Sequence, residues 1–299
     1  MHAHTHSHHP STKSPAFGLA VGLNLLFVAL ETLFGLRAHS VSLLADAGHN
    51  LSDVLGLGLA WWAAALALRP PSARHTYGLR RGSILAAFGN SVILMIAVGG
   101  IAWEALQRLH QPHAVAGRTV MAVAGVGVVL NGITALLFWP GRKHDLNVRS
   151  AFLHLAADAG VSLGVVAAGF LIVRTGLPWI DPAVSLGISA VIVWGTWGLL
   201  CESFRLAMDA VPEGLDIEAV EAFLESQAGI TTIHDLHVWA MSTTETALTV
   251  HLVSPQGDFD DMRLASLCAE LRHRFGIAHS TIQMERGDVE CWQAPDGVV

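Results

Sequence analysis

Six stretches of this chain are long and apolar enough to cross a bilayer as helices: residues 17–37, 41–68, 83–109, 119–139, 150–174 and 180–205. A spanning helix needs about 20 mostly apolar residues. Lipid offers the backbone no hydrogen-bond partner, so such stretches fold as helices that satisfy themselves. The breaks between them carry charge or Pro/Gly punctuation, as at Arg69, Pro70 and Pro71 and again at residues 140–143 (PGRK). The first stretch is too long, and too polar at Asn24 and Glu31, for a signal peptide, and no small-residue cleavage pattern follows it.

Basic residues orient the bundle. The N-terminus, the 2–3 and 4–5 loops and the end of the sixth stretch carry Lys13, Arg69, Arg74, Arg80, Arg81, Arg142, Lys143, Arg149 and Arg205. The opposite side carries only Arg37, Arg108, Arg118 and Arg174, so both termini are expected in the cytoplasm. Seven tryptophans (Trp61, Trp62, Trp103, Trp139, Trp179, Trp194, Trp197) gather toward segment ends, as interfacial aromatics do.

Charge divides the chain again. Residues 1–209 hold 13 Lys/Arg and 9 Asp/Glu, whereas residues 210–299 hold 4 and 15, a net of −11. The last 90 residues therefore read as a small acidic soluble domain. Their pattern is helix (216–227), strand (230–240), strand (246–253), a helix capped by Asp258 or Asp260 and ended by Gly276, and strand (279–285). This is an α+β order. A net charge of −7 argues against nucleic acid as a partner, and three scattered cysteines (Cys201, Cys268, Cys291) argue against a disulfide scaffold. The 17 histidines, as many as Lys and Arg together, point to transition metals.

The second stretch contains residues 46–53 (DAGHNLSD) and the fifth contains 154–158 (HLAAD). Each puts a His four residues before an Asp, His49 with Asp53 and His154 with Asp158, so each pair lies on one helix face. Together they offer two imidazoles and two carboxylates, a tetrahedral set suited to Zn²⁺. A bare carboxylate at mid-membrane costs on the order of 3 kcal/mol, which a divalent cation would offset. The His-Glu-x-x-His pattern of zinc hydrolases is absent, as are a nucleophile elbow and a phosphate loop, so the chain does not read as an enzyme. Four protein ligands leave no open position for a catalytic water, which suits transport better than hydrolysis.

These residues resemble the cation diffusion facilitator family, in its zinc-exporting branch. The resemblance is carried by 35–53 (GLRAHSVSLLADAGHNLSD), 74–78 (RHTYG), 180–182 (IDP), 211–214 (VPEG), 234–239 (HDLHVW) and 279–285 (HSTIQME), and it covers nearly everything after residue 16. It implies an α-helical membrane protein of six transmembrane helices with a C-terminal α+β ferredoxin-like cytoplasmic domain. The expected domains are a histidine-rich tail (1–16), a transport domain (17–209) and a metallochaperone-like domain (210–299). The resemblance implies a homodimeric Zn²⁺/proton antiporter of the inner membrane whose transport site is His49, Asp53, His154 and Asp158. In that family, His at the first of these positions accompanies a preference for zinc over cadmium. A regulatory metal site of the cytoplasmic domain maps onto His234, His251, His279 and Glu285. Cys291 stands alone where relatives carry a cysteine pair, and it is left out of that set. His75 lacks the ligands relatives carry near Leu79 and Ser83 and reads as a solvated loop histidine, and His237 reads as structural. Asp46 reads as a gating or helix-packing residue.

Other readings stay open at this level. The main ion could be Cd²⁺, Co²⁺ or Fe²⁺, whose affinities for N/O sites overlap with that of zinc. A membrane-anchored metal sensor without flux is the reading from another class. The tail, with His2, His4, His6, His8 and His9, is of a kind that binds transition metal without folding. It is expected to gather zinc loosely for the transporter. Deleting residues 2–9 should then raise the apparent KM for zinc in a flux assay, and an unchanged KM would reject that role.

Overall fold

Each apolar stretch becomes one helix, and the punctuation between stretches becomes the turns. The computed structural model describes residues 15–67, 69–111, 113–139, 146–257, 260–289 and 291–293. The tail histidines and His144 lie outside the described residues. Six long helices come first: α1 (Pro15–Ala38), α2 (Val41–Ala67), α3 (Gly82–His110), α4 (Gly117–Phe138), α5 (Leu146–Thr175) and α6 (Ile180–Ala207). Among the described residues, α3, α4, α5 and α6 contain spans long and apolar enough to cross a membrane. The tryptophans picked out in the sequence are all exposed, as are Ile96, Leu137 and Val191, so an apolar shell covers these helices. In water such a shell would be a liability; in lipid it is the solvated surface.

Contacts divide the described residues into two units. One contains residues up to Trp61 with Gly89–Gly198; the other contains Trp62–Phe88 with Leu199 onward. The division runs through α2, α3 and α6.

Small and β-branched residues fill much of the first unit's core, among them Ala38, Val98, Val120, Ala124, Val165 and Ile188. Without a hydrophobic driving force between helices, close packing of small residues holds a membrane bundle together. Gly117 on α4 and Gly169 on α5 show this directly. A Cβ built at Gly117 falls 2.8 Å from the Gly169 carbonyl oxygen, and one at Gly169 falls 2.9 Å from the Gly117 carbonyl oxygen. Further along the same pair, a Cβ at Gly127 would meet Ser162 Oγ at 2.9 Å and the Phe27 ring at 3.0 Å.

The start of α2 is fixed from a distance. The first N–H groups of a helix have no partner within it. Here the buried Asp181, at the start of α6, accepts from the Val41 N–H at 2.6 Å and from the hydroxyls of Ser40 and Ser42, each at 2.6 Å. The carboxylate thus caps a helix 140 residues away in sequence and sets the depth of α2 beside α6.

In the second unit, α7 (Ile217–Glu225) is capped by Asp216. Strand β1 (Thr232–Ala240) pairs antiparallel with β2 (Thr246–Val253), and β2 pairs parallel with β3 (Ile277–Glu285) after α8 (Asp261–Phe275). The sheet order is β1-β2-β3. Asp260 caps α8, and Gly276 ends it at φ +71, a conformation that favours glycine. Strand β3 starts at Ile277, two residues earlier than the sequence pattern suggests, because it leaves that glycine directly. Strand β1 starts two residues later than expected, because Ile230 still closes a turn onto Gln227. Val220, Leu224, Val238, Leu248, Leu252, Leu267 and Leu271 form the core beneath the sheet.

Gly169→Ala should lower the unfolding temperature of the detergent-purified protein, since overpacking costs about 1–3 kcal/mol. Gly164→Ala, whose Cβ meets nothing within 4 Å, is the control. Equal melting of both variants would contradict a glycine-tight α4–α5 contact.

Candidate functional site

Within the first unit, α2 and α5 bring their two His/Asp pairs face to face. His49 Nε2 lies 3.0 Å from Asp158 Oδ1 and 3.8 Å from Asp53 Oδ2. His154 Nε2 lies 3.5 Å from Asp53 Oδ2 and 3.6 Å from Asp158 Oδ2. The two imidazole rings stand edge to face with centroids 6.3 Å apart. Donor atoms placed tetrahedrally at about 2.0–2.1 Å from a zinc ion are separated by about 3.3–3.4 Å. All four His–Asp separations bracket that value. The donor atoms of His49, Asp53 and Asp158 lie mutually within 4.8 Å, and His154, half exposed, stands outside that group while facing both carboxylates. Asp158 is buried, whereas the His154 side chain is half exposed, so the site has a closed wall and an open one.

Such a cluster without an ion is electrostatically unfinished. Two carboxylates between helices repel each other unless a cation or protons compensate them. Two neutral imidazoles and two carboxylates would neutralise one divalent ion. The donors are nitrogen and oxygen alone, a set that suits zinc and overlaps with other first-row divalent ions.

In the second unit a separate cluster forms on the sheet. His234 on β1 is the register partner of His251 on β2, with ring centroids 5.1 Å apart. Glu285, at the end of β3, sits diagonally across from His251, 3.0 Å from its Nδ1 and 3.4 Å from His234 Nε2. Burial raises the Glu285 carboxyl, but hydrogen bonds from Gln283 and Cys291 and the charges of His234 and His251 outweigh it and hold the group below its ordinary value. His234 Nε2 is buried without a hydrogen-bond partner among the described residues, an orphaned donor or acceptor facing the cluster.

Two participants escape a sequence reading. Cys291 Sγ lies 3.6 Å from His251 Nδ1 and joins His234, His251 and Glu285 in a group whose donors lie within 4.8 Å of one another. Cys291 is 40 residues from His251, and no spacing rule links a lone cysteine to a strand histidine. Asp235 is the other. It sits in the β-bulge between His234 and His237 at φ +52, a conformation aspartate tolerates better than most residues. From there its carboxylate reaches His237 at 2.8 Å and His251 Nε2 at 3.5 Å. His237 is thus held by Asp235, consistent with a structural role.

His279 is not brought into this cluster, which corrects its place in the expected ligand set. It stands six residues before Glu285 on β3, about 20 Å away at the strand rise. Its ring instead meets Tyr77 edge-on at 5.6 Å. His75 is exposed in a turn, its backbone bonded to Ser72, and takes no part in either cluster.

Residues 18–206 match the family described as cation efflux transmembrane domain, and residues 212–287 match the one described as cation efflux protein, cytoplasmic domain. Among known proteins, the chain is similar to the zinc transporter ZitB of Escherichia coli, 35% identical over 292 residues, covering 95% of this chain and 91% of the relative. It is 33% identical over 287 residues to the metal cation efflux system protein CzcD of Cupriavidus metallidurans, with 95% and 91% covered. A protein of Bacillus subtilis named cadmium, cobalt and zinc/H(+)-K(+) antiporter is 31% identical over 285 residues, with 94% and 91% covered.

Thiolate is a soft ligand that favours cadmium. Adding cadmium to the purified chain should produce a thiolate-to-metal absorption band in the ultraviolet. The band should vanish in Cys291→Ser and persist in Cys201→Ser; its persistence in Cys291→Ser would remove Cys291 from the cluster's chemistry.

Proposed function

Because the chain belongs to the cation efflux family, we propose that it exports Zn²⁺ from the cytoplasm by exchange for protons, through a site made of His49, Asp53, His154 and Asp158. The observation that carries the reading is the geometry of those side chains, which come from two helices with each imidazole 3.0–3.8 Å from both carboxylates. On this reading α1–α6 are six spans of an inner-membrane domain (17–209) with cytoplasmic termini, and residues 210–299 form a ferredoxin-like domain through which two copies pair. The match of 212–287 to a cytoplasmic domain of the dimerising type supports the pairing.

Metal and protons compete for the same atoms. Zinc requires neutral imidazole nitrogen and ionised carboxylate oxygen, so its entry displaces protons from the His and Asp side chains. Protons arriving from the far side take those atoms back and weaken the hold on the ion. Rocking of the bundle that opens the site to one side at a time turns this competition into antiport. His154, half exposed, is the ligand through which the ion enters or leaves, while the buried Asp158 keeps contact until the end.

His234, His251 and Glu285, with Cys291, form a second zinc site with a regulatory part. The acidic cytoplasmic domains of two protomers repel each other, and metal bound on them lessens that repulsion and favours a transport-competent pair. Substrate breadth is the second reading, favoured by the relative whose name includes cadmium and cobalt. Excess cobalt or cadmium that slows zinc flux competitively would establish it.

Proteoliposomes containing a zinc-sensitive dye and holding a pH gradient test the first claim. Zinc flux should follow the gradient. It should fall about 100-fold or more, beyond the cost of outer-shell changes, in Asp53→Ala and in Asp158→Ala. Flux persisting in both variants would overturn the site. The double variant His234→Ala/His251→Ala should keep basal flux and lose the rise in rate at high zinc; a full zinc response would overturn the regulatory site.

A further inference from the structure

A second pair of carboxylates lies one helical turn from the His/Asp site and is not part of it. Glu31 on α1 and Asp46 on α2 are both completely buried. They are neighbours: Asn50, one turn after Asp46 on α2, bonds Glu31, and the two carboxyl groups act on each other electrostatically. Around them the structure supplies two donors. Asn50 Nδ2 donates to Glu31 Oε2 at 3.2 Å, and Ser162 Oγ donates to Asp46 Oδ2 at 2.8 Å. The other two oxygens, Glu31 Oε1 and Asp46 Oδ1, are buried and have no donor among the described residues. Two ionised carboxylates as neighbours, inside a bundle and short of donors, are unfavourable on every count: desolvation, mutual repulsion and unmet hydrogen bonding. One proton removes all three, because a carboxylic acid donates where a carboxylate only accepts.

We propose that Glu31 and Asp46 form a proton-binding site of their own, separate from the metal ligands, that holds one proton between the two carboxyls and exchanges it in the transport cycle. The possession of the proton stands on the burial and the donor count; its exchange rests on the antiport reading. The site is placed to sense the metal. Asp46 precedes His49 by three residues on α2, Asn50 follows His49 directly, and Ser162 follows Asp158 by one turn of α5. A shift of α2 against α5 that opens the His/Asp site therefore also breaks the Ser162–Asp46 bond or moves Asn50 from Glu31. The charged groups acting on the pair are His49 and Asp158, from α2 and α5. Arg118, at the start of α4, is the only Asp, Glu, Lys, Arg or His on that helix. The transfer is a bare proton exchange: a carboxyl O–H bond breaks, its electron pair stays on the carboxylate oxygen, and a water molecule admitted when the helices shift takes the proton.

Infrared difference spectroscopy of the metal-free protein at neutral pH tests the first half. A protonated-carboxyl C=O band should be present in the unsubstituted chain, absent in Glu31→Gln/Asp46→Asn, retained in Asp53→Asn, and shifted in Ser162→Ala, where Asp46 loses its hydroxyl donor. No such band in the unsubstituted chain, or a band untouched by both Ser162→Ala and the double variant, would overturn the proposal, and the unsubstituted chain and Ser162→Ala answer even where the double variant does not fold. A band that depends on potassium replacing choline would mark an alkali-cation site instead and also overturn it. Protons moved per zinc, counted with a pH dye in the proteoliposomes, test the second half. Glu31→Gln should move about one proton fewer per zinc than the unsubstituted chain. An unchanged count would overturn the exchange. If the unsubstituted chain moves zinc without protons, the antiport reading and the exchange fall together, while the infrared result still decides whether the pair holds its proton.

Discussion

Charge cannot be left uncompensated between helices in a bilayer, and the first unit of this protein is organised around that limit. Asp46, Asp53, Asp158, Asp181 and Glu31 all lie within its helices, and they stand in three different settings. Asp181 takes the orphaned N–H groups and hydroxyls at the start of α2 and so needs no ion. Asp53 and Asp158 face two imidazoles across a gap of metal-ligand size. Glu31 and Asp46 face each other with too few donors. Backbone and hydroxyl donors thus answer Asp181, and on the proposed reading a divalent cation answers Asp53 with Asp158 and a proton answers Glu31 with Asp46. Only the cation and the proton can leave, and that separates a transport path from a structural cap.

Placing two helices' ligands within one coordination sphere requires close helix approach. Gly117 and Gly169 bring the α4 and α5 backbones together, and Gly127 leaves room for Ser162 beside Phe27. α5 carries His154 and Asp158, so its seating against α4 feeds directly into the spacing of the site. Small residues along α4 therefore serve the ligand geometry without touching it. In the cytoplasmic domain the same result comes from strand register: His234 opposite His251, and Glu285 on the diagonal, put the donors within reach.

Local patterns in the sequence revealed whatever depended on short spacing. The Asp260 cap, the Gly276 stop and both His-x-x-x-Asp pairs could be read because the interacting groups lie within a few residues or share one helix face, whereas Asp216, read as the first residue of its helix, proves to be the cap. Groups joined only by tertiary packing could not. Cys291 meets His251 because the chain turns back after β3, and Asp235 enters because a bulge rotates it there. His279 failed in the opposite sense: a motif placed it beside Glu285 in sequence, yet six residues of extended strand separate them in space. Glu31 stood out in the sequence only as a polar residue in an apolar stretch, since its partner lies on the next helix.

The central claim is that four side chains from α2 and α5 hold one divalent ion in a nitrogen and oxygen shell. Zinc X-ray absorption on the chain lacking residues 2–9 and carrying His234→Ala, His251→Ala, Glu285→Gln and Cys291→Ser, so that neither the tail nor the sheet cluster holds metal, measures that shell directly. The account predicts one zinc per chain, four light-atom ligands at about 2.0–2.1 Å, and the multiple scattering of two imidazoles. A six-oxygen shell, a sulfur neighbour, or a spectrum unchanged by Asp158→Ala would contradict it.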